Sequence, residues 1–355
     1  MTMPAKTPRV LLVGRDWFAG VTEFCRRGLA ELGVETRVVG TNVPTQSGRV
    51  AQQQAKLRRF RLIGHPLANR YWDREEARRH ADFEARLRVA VAEFQPDLLL
   101  TLMIWGDEVG ESALEGVSAL KVGWLLDDPF LNKAELARTL PFYDRIYSAD
   151  QAWGIPARFL TRADIPTLPC GADLASHRPL ETATSREGLV FVGSSYAGKA
   201  AGIPRRALLE GISDLPLKVY GDQGWWSSPQ LARCAGHELP MDEANAVYNQ
   251  AAAAINIHHP QWKSGTSLRT FGLGASGVAQ LVDYRPGLER YFDLDREVAA
   301  FRNAEELRAQ AKRVLRDPAW RDGLAREGLA RVRAEHTYTH RLRVILGDAG
   351  FTSGI

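Results

Sequence analysis

The amino-acid sequence predicts an α/β protein made of two Rossmann-like halves. Short apolar segments of β-type composition alternate with helical segments along almost all of the 355 residues, as expected for parallel sheets built from βαβ units. The alternation stops in a polar stretch at residues 181–187 and then starts again. The chain is also long enough for two hydrophobic cores of ordinary size. We therefore expect a domain boundary near residues 172–187.

The first half contains five segments with the composition of buried strands. They cover residues 9–14, 35–39, 97–102, 121–126 and 145–148. The third of these segments is largely apolar, which is typical of a parallel strand covered on both faces. Helices are expected at residues 21–32, with Gly33 following as a C′ residue, and at residues 73–94.

The second half repeats this pattern. Its expected strands cover residues 188–193, 217–220, 254–257, 278–282 and 297–301. Helices are expected at residues 204–211 and 242–252, and the chain beyond Asn303 has helical composition. Ligands of such proteins usually bind at the carboxyl ends of the parallel strands. We expect a cleft between the two halves at those ends.

The composition is that of a globular protein, with 45% hydrophobic and 25% charged residues. No apolar run approaches the roughly 20 residues that span a bilayer. Residues 1–10 lack the apolar stretch of a secretory signal, so we expect a cytoplasmic protein. Cys25, Cys170 and Cys234 are far apart in sequence, which favours neither a disulfide framework nor a zinc site. We expect no metal ligands in this chain.

Positive charge is concentrated in one segment of the chain, whose net charge is +4. Residues 49–61 contain no acidic residue, and their basic residues are Arg49, Lys56, Arg58, Arg59 and Arg61. Such a segment is either a solvated helix face or a surface attracted to anionic lipid or a phosphorylated acceptor. The second interpretation predicts peripheral membrane contact. Nucleic acid is not an expected partner, because the segment has one aromatic residue, Phe60, and no nucleic-acid-binding module surrounds it.

The residues after the strand at 254–257 have the features of an anion-binding site. Gly265, Thr266 and Ser267 precede a helix whose first turn contains Arg269 and Thr270. Unpaired N–H groups and the helix dipole attract an anion to such an N-terminus, and Arg269 would add a charge-assisted contact to a phosphate. The alternative is an ordinary helix capped by Ser267.

A second loop with suitable residues follows the strand at 188–193. Gly193 and Ser194 allow the backbone to approach a ligand closely, and Lys199 and Arg205 carry charges that would neutralise a diphosphate. Cations at such positions also commonly face solvent. The loop therefore supports an anion site mainly in combination with the Gly-Thr-Ser segment of the same half.

Other candidate residues follow strands in both halves. Tyr220 and His258 are candidates for contacting a base, sugar or phosphate, and packing is the alternative role for each. Asp16 and Asp128 follow strands of the first half and are candidate catalytic carboxylates, either as a general base or as ligands of sugar hydroxyls. The alternative is that both aspartates cap the helices that follow them.

Several segments, in the order in which they occur, resemble one bacterial family. They are residues 124–129, 168–173, 191–194, 265–271, 283–288, 297–298, 305–307, 317–318 and 336–341. They resemble the spore-maturation-protein-B-like group of the group-1 glycosyltransferases. The resemblance implies the GT-B architecture, in which two Rossmann-like domains face each other across a cleft and a C-terminal helix crosses back. It implies an acceptor domain at 1–175, a donor-nucleotide domain at 176–335 and the returning helix at 336–355.

The same resemblance implies an activity. A nucleotide-sugar donor would bind mainly to the second domain, and its sugar would be transferred to a polysaccharide, lipid or protein acceptor in cell-surface glycan biosynthesis. No cofactor is implied, since the nucleotide-sugar is a substrate. Metal is usually dispensable in such enzymes, because cations and a helix N-terminus stabilise the leaving diphosphate.

The chain departs from this family at one position. The family commonly has a glutamate after the Arg-Thr-Phe triplet, and related enzymes use it on the nucleotide ribose, whereas this chain has Gly272. Ser264 stands eight residues earlier, where the larger retaining group has another glutamate. Asp283, after the next strand, is a candidate for the missing ribose contact.

Because of Gly272, a degenerate homologue that binds a nucleotide or a partner without turnover is kept as the alternative function. A sugar-nucleotide epimerase is a third hypothesis. A dinucleotide-dependent dehydrogenase is disfavoured, because neither Gly14 nor Gly193 begins a complete G-x-G-x-x-G motif.

Overall fold

The computed structural model describes residues 7–15, 20–41, 66–104, 109–132, 138–161, 163–181 and 186–351. The chain divides into two compact units. Unit 1 comprises Met1–Tyr147, Ala157–Ile165 and Ala349–Ile355, and unit 2 comprises Ser148–Pro156 and Pro166–Asp348. Each unit is built on a sheet with parallel pairing, so the predicted α/β class with two Rossmann-like halves is confirmed.

Unit 1 contains one five-stranded sheet. Its strands are β1 (Arg9–Gly14), β2 (Glu35–Gly40), β3 (Leu98–Met103), β4 (Leu120–Leu125) and β5 (Arg145–Ser148), whose last residue already belongs to unit 2. Its helices are α1 (Val21–Glu31), α2 (Pro66–Phe94) and α3 (Glu111–Glu115), with 3-10 turns at Pro129–Asn132 and Leu140–Phe142. The strand order is β2-β1-β3-β4-β5, which places β3 at the centre.

One core cluster of unit 1 includes residues of this sheet and of α2. All six residues of β3 are buried, as expected of a central parallel strand covered on both faces. Leu11 and Leu99 of the sheet belong to one apolar cluster with Leu87 and Phe94 of α2. The helix begins at Pro66, seven residues before its predicted start at residue 73.

Unit 2 contains a six-stranded sheet. Its strands are β6 (Leu189–Val192), β7 (Leu217–Tyr220), β8 (Ala235–Gly236), β9 (Ala253–Asn256), β10 (Ala279–Asp283) and β11 (Ala299–Phe301). After α4 (Gln151–Thr161), whose residues fall in both units, its helices are α5 (Gly202–Glu210), α6 (Met241–Gln250), α7 (Leu268–Ala275), α8 (Ala304–Arg316), α9 (Pro318–Glu335) and α10 (Tyr338–Asp348). The strand order is β11-β10-β9-β6-β7-β8, so β6 and β9 are the central pair.

The predicted strands all exist, with bounds within two residues of those expected. The prediction missed β8, which has two residues, and it missed α3 and α4. Helix α4 contains Pro156 in its interior, and a proline there removes a backbone hydrogen bond and disfavours the helix locally. Tertiary packing of buried Trp153 and Ala157 stabilises α4 despite this residue.

The C-terminal segment is tied to residues 169–172 inside unit 2. The backbone N–H of Ala172 donates to His336 O at 2.8 Å, and Tyr338 N–H donates to Ala172 O at 3.0 Å. At Gly171 a Cβ atom would lie 2.7 Å from the carbonyl carbon of Thr337, so only glycine fits where these two backbone segments meet. The division into domains 1–175, 176–335 and a returning helix at 336–355 stays a prediction.

Among the described residues, no helix has the length and apolarity needed to cross a membrane. Within the same residues, no group of three His, Cys, Asp or Glu side chains is arranged to hold a metal ion.

Candidate active site

The candidate site lies at the carboxyl ends of the central strands of unit 2. Gly193 follows β6, Tyr220 ends β7, Asn256 ends β9 and Asp283 ends β10. These four strands are neighbours in the sheet, so their ends lie along one edge. This edge is where parallel α/β sheets bind their ligands.

The loop at residues 265–267 presents the N-terminus of α7. Gly265 has a φ of +75°, a left-handed conformation that favours glycine, and its N–H donates to Pro286 O at 2.7 Å. Ser267 adopts the extended N-cap conformation, but its side chain forms no capping hydrogen bond. The alternative of an ordinary Ser-capped helix therefore does not describe this terminus. Thr270 N–H donates to the Ser267 carbonyl oxygen at 3.1 Å, but no N–H of the first turn is capped by the Ser267 side chain, which suits the terminus to an anion.

Two guanidinium groups converge on one aromatic ring beside this loop. The Cζ atom of Arg269, on the first turn of α7, lies 5.7 Å from the ring centroid of Phe191, and that of Arg205 lies 5.4 Å from it. Arg269 also crosses Gly193, where a Cβ atom would lie 2.9 Å from its Nη2. A larger residue at 193 would displace this guanidinium. The geometry gives Gly193 a specific role, which is to leave room for Arg269.

Arg205 is buried, with only 4% of its surface exposed. Its guanidinium donates to two carbonyl oxygens, Ser194 O at 2.8 Å and Ile257 O at 2.7 Å, and so joins the ends of β6 and β9. Burial, and then the charge of Arg269, lower the pKa of Arg205 to about 10; the opposing attractions of Tyr196 and Asp283 are weaker. Arg205 is still charged at neutral pH, and after burial the largest influence on its pKa is another cation, Arg269.

The loop at residues 193–202 is held in a fixed conformation. Asp222 accepts from Ser195 N–H at 2.8 Å and from the Ser195 hydroxyl, and hydrogen bonds keep the pKa of Asp222 below its usual value although burial opposes them. Tyr196 has a φ of +50°, which is strained for a residue with a side chain. Its ring lies under the guanidinium of Arg205 at 4.8 Å and meets the ring of His259 edge-on at 4.8 Å. The strain therefore places an aromatic ring beside Arg205.

Beneath the 265–267 loop lies a buried polar network. His258 Nδ1 contacts Asp283 Oδ1 at 2.6 Å, and His258 Nε2 contacts Thr266 Oγ1 at 2.8 Å. Thr266 Oγ1 also contacts Thr270 Oγ1, to which Asn256 Nδ2 donates at 2.8 Å. The network connects the ends of β9 and β10 to the start of α7.

The structure thus places most predicted residues of unit 2 around one edge of the sheet. Ser194 and Lys199 are exposed on the 193–202 loop, while Thr266, Thr270 and His258 are buried below the 265–267 loop. Tyr220 is half-buried, and its ring fills the space beside Gly236, where a Cβ atom would lie 2.6 Å away.

The predicted catalytic residues and the predicted basic segment belong to unit 1. Asp128 is half-buried, and its Oδ1 accepts from Phe130 N–H at 3.0 Å at the start of a 3-10 turn, which is the capping geometry of the alternative interpretation. Asp16 lies outside the described residues. The basic segment at 49–61 also lies outside them.

At Gly272 and Ser264, where related enzymes have glutamates, the structure shows two features. A Cβ atom at Gly272 would lie 3.0 Å from the His177 imidazole, whose pKa is lowered by burial. At the earlier position, the N–H and hydroxyl groups of Ser264 donate to the buried carboxylate of Asp150. His177 and Asp150 were not singled out from the sequence, and neither were Tyr196, Phe191 and Asp222. Their partners are far away along the chain, so no local pattern marks them.

The protein class of unit 2 follows from its similarity to known proteins. Residues 205–347 match a family model described as glycosyl transferase-like. No curated protein matches this sequence. Sucrose-phosphate synthase from Thermosynechococcus elongatus aligns with a TM-score of 0.66 at 14% identity, covering 96% of this chain and 98% of that one. Residues 205–347 are a glycosyltransferase domain.

Other structural neighbours show that the fold is GT-B. A glycosyltransferase from Rickettsia africae aligns with a TM-score of 0.64 at 10% identity, covering 97% of this chain and 98% of that one. HepE of Anabaena, solved with UDP and glucose, has a TM-score of 0.59 at 10% identity and coverages of 97% and 99%. The predicted GT-B fold is confirmed, and the family match of residues 205–347 supports the predicted glycosyltransferase class. The glycosyltransferase domain contains Arg205, Arg269 and the whole 265–267 loop.

Proposed function

We propose that this glycosyltransferase transfers a sugar from a nucleoside-diphosphate donor, whose diphosphate is bound by Arg205, Arg269 and the N-terminus of α7. The observation that carries the proposal is the pair of guanidinium groups on Phe191. Arg205 bonds carbonyl oxygens and is destabilised by Arg269, so an anion between them would relieve a repulsion already present in the protein. A diphosphate supplies that anion.

The chemistry of transfer fits this arrangement. The bond between the sugar C1 and the β-phosphate oxygen breaks, an acceptor oxygen bonds to C1, and the acceptor proton passes to a base. Negative charge develops on the leaving diphosphate, where fixed N–H groups and cations stabilise it most effectively. Such groups supply this stabilisation without a metal. Asp16 and Asp128 remain the proposed catalytic carboxylates.

The structural neighbours guide the choice of donor. HepE of Anabaena is solved with UDP and glucose, and the β-glucosyltransferase of phage T4 is solved with UDP-glucose. We therefore propose a uridine nucleotide as the first donor to test. The finer assignment to the spore-maturation-protein-B-like group, with a polysaccharide, lipid or protein acceptor, rests on the motifs. A cytoplasmic location with membrane contact through residues 49–61 rests on the sequence.

The experiment is an incubation of the purified protein with UDP-, GDP-, dTDP- and CDP-sugars, with release of the nucleoside diphosphate as the readout. One donor should be turned over, faster when an acceptor extract is added, and Arg269→Ala should abolish this release. The matched control is Arg206→Ala, because Arg206 is engaged by Glu210 at 3.0 Å and by Ser227 O at 3.1 Å. Donor binding without turnover under every condition would favour the degenerate-homologue alternative instead.

A further inference from the structure

We propose that His258 is a positioning residue, which holds the 265–267 loop in its anion-binding conformation through the Thr266 hydroxyl and does not touch the donor. The inference rests on the proposed function, because it assumes that this loop binds the diphosphate. It replaces direct ligand contact, which was one of the two roles predicted for His258.

The first hydrogen bond of the network has a definite direction. Interactions with His258 and Arg285 lower the pKa of the Asp283 carboxylate despite burial, so this carboxylate accepts. His258 Nδ1 therefore carries a proton and donates to Asp283 Oδ1 at 2.6 Å. His258 Nε2 contacts Thr266 Oγ1 at 2.8 Å, so the imidazole links the carboxylate to the hydroxyl.

The network continues beyond Thr266. Thr266 Oγ1 contacts Thr270 Oγ1, to which Asn256 Nδ2 donates at 2.8 Å. Hydrogen bonds in a connected series strengthen one another, and a buried group left without its partner costs more than an exposed one.

The geometry argues against the other role that an Asp-His-Thr series suggests. Thr266 is wholly buried, with 0% of its surface exposed, and its oxygen already contacts both His258 and Thr270. A nucleophilic hydroxyl must reach the substrate. His258, with 3% of its surface exposed, is equally remote from a ligand. The series therefore acts on the loop that carries it.

The network is anchored at the end away from the loop. Asp283 Oδ1 also accepts from the backbone N–H of His258 at 2.8 Å, and its Oδ2 accepts from Arg285 at 2.9 Å. Both oxygens thus have protein partners. Because Thr266 directly precedes the N-cap residue Ser267, fixing its side chain fixes the first N–H groups of α7 relative to β9 and β10. The network is the physical link between the sheet and the proposed diphosphate site.

The test compares Thr266→Val, which keeps the shape and removes the hydroxyl, with Thr266→Ser, which keeps the hydroxyl. Calorimetry measures the affinity of each protein for UDP, GDP, dTDP and CDP and for the corresponding nucleosides. We expect Thr266→Val to weaken nucleoside-diphosphate binding roughly ten-fold and to leave nucleoside binding unchanged. Thr266→Ser should stay close to the wild type, because the hydroxyl alone is needed.

The outcomes separate the two proposals. If no nucleoside diphosphate binds the wild type, the proposed function fails and this inference falls with it. If one binds the wild type and Thr266→Val binds it equally well, His258 has no positioning role. Equal loss of nucleoside and diphosphate affinity would likewise overturn positioning, because it indicates general damage to unit 2.

A measurement on the wild type keeps the inference testable if Thr266→Val does not fold. In protein labelled with ¹⁵N-histidine, the His258 signals, assigned with His258→Gln, should show a protonated Nδ1. Addition of the bound nucleoside diphosphate should shift the Nε2 signal, because the phosphate charge acts on the loop whose Thr266 hydroxyl contacts this nitrogen. A His258 signal that does not respond to saturating nucleotide would overturn the inference.

Discussion

Replacement of Arg269 by alanine should weaken nucleoside-diphosphate binding while leaving the fold intact. At 4 Å and an effective dielectric constant of about 20, a guanidinium and a phosphate charge attract by about 4 kcal/mol. Arg269 is half-buried, so solvent screening reduces this value toward the 1.5–3 kcal/mol typical of a charge-assisted hydrogen bond. The expected loss of affinity is therefore about ten- to a hundred-fold.

The effect of the same change on stability should be small. The Phe191 ring contact contributes about 0.5–1 kcal/mol at a partly exposed site. Its loss is offset, since removing Arg269 also removes the repulsion that lowers the pKa of Arg205. We expect the free energy of unfolding to change by less than about 1 kcal/mol.

Titration calorimetry with UDP, GDP, dTDP and CDP, combined with thermal unfolding, measures both quantities. Arg206→Ala is the matched control, since its guanidinium is engaged by Glu210 and Ser227. Wild-type nucleotide affinity in a folded Arg269→Ala protein would refute the reasoning. An equal loss in Arg206→Ala would also refute it, because the effect would then follow from net charge.

Three further predictions concern residues that support the site. Arg341→Met should lower the free energy of unfolding, measured in urea, by about 3 kcal/mol, because buried Arg341 donates to three carbonyl oxygens and to His336 Nδ1. The control Arg343→Met, at an exposed position, should change the free energy of unfolding little. The pKa of His336 is lowered by burial, and secondarily by Arg341, to about 4. As the pH falls, the imidazole is therefore protonated first in the unfolded chain. The free energy of unfolding should decrease by up to about 3 kcal/mol between about pH 6.5 and about pH 4. In His336→Gln, urea titrations should show a weaker dependence of the free energy of unfolding on pH across this range. Gly272→Glu should destabilise the protein by about 1–3 kcal/mol, because a Cβ atom at this position would lie 3.0 Å from the His177 imidazole. In the double variant, His177→Ala should recover part of this loss of stability. If the losses of the two single variants simply add in the double variant, this account is contradicted.

The sequence was sufficient to predict the sheet strands and their division into two sets, because periodicity and strand composition are local signals. It was less informative about helix limits. Helix α2 begins seven residues earlier than expected, and α4 forms around Pro156 because Trp153 packs against Trp262 at 4.7 Å. Such tertiary contacts override local propensity and are invisible in a single segment of sequence.

The candidate site was predictable only where its signals were local. The Gly-Thr-Ser segment and Arg269 are adjacent in sequence, so an anion-binding helix terminus could be proposed from the sequence. The partnership of Asp222 with Ser195 spans 27 residues, and that of Asp150 with Ser264 spans 114. Without knowledge of which loops meet, nothing in the sequence distinguishes either aspartate from an aspartate on the protein surface.

The burial of the polar residues was also hidden from the sequence. His258 was a candidate ligand contact because it follows a strand, yet both of its ring nitrogens are used inside the protein. Arg205 was expected either to neutralise a diphosphate or to face solvent, and its guanidinium joins two strand ends through carbonyl oxygens. Sequence position was enough to propose an edge of the sheet as the site, whereas a proposed division between contact and support needed side-chain geometry.

A crystal structure of the wild-type protein with the nucleoside diphosphate selected by calorimetry tests the central claim most directly. The account predicts phosphate oxygens within hydrogen-bond distance of the Arg269 guanidinium and of the first N–H groups of α7, with His258 buried beneath them and making no ligand contact. Phosphates bound away from Arg269 and the 265–267 loop would contradict it.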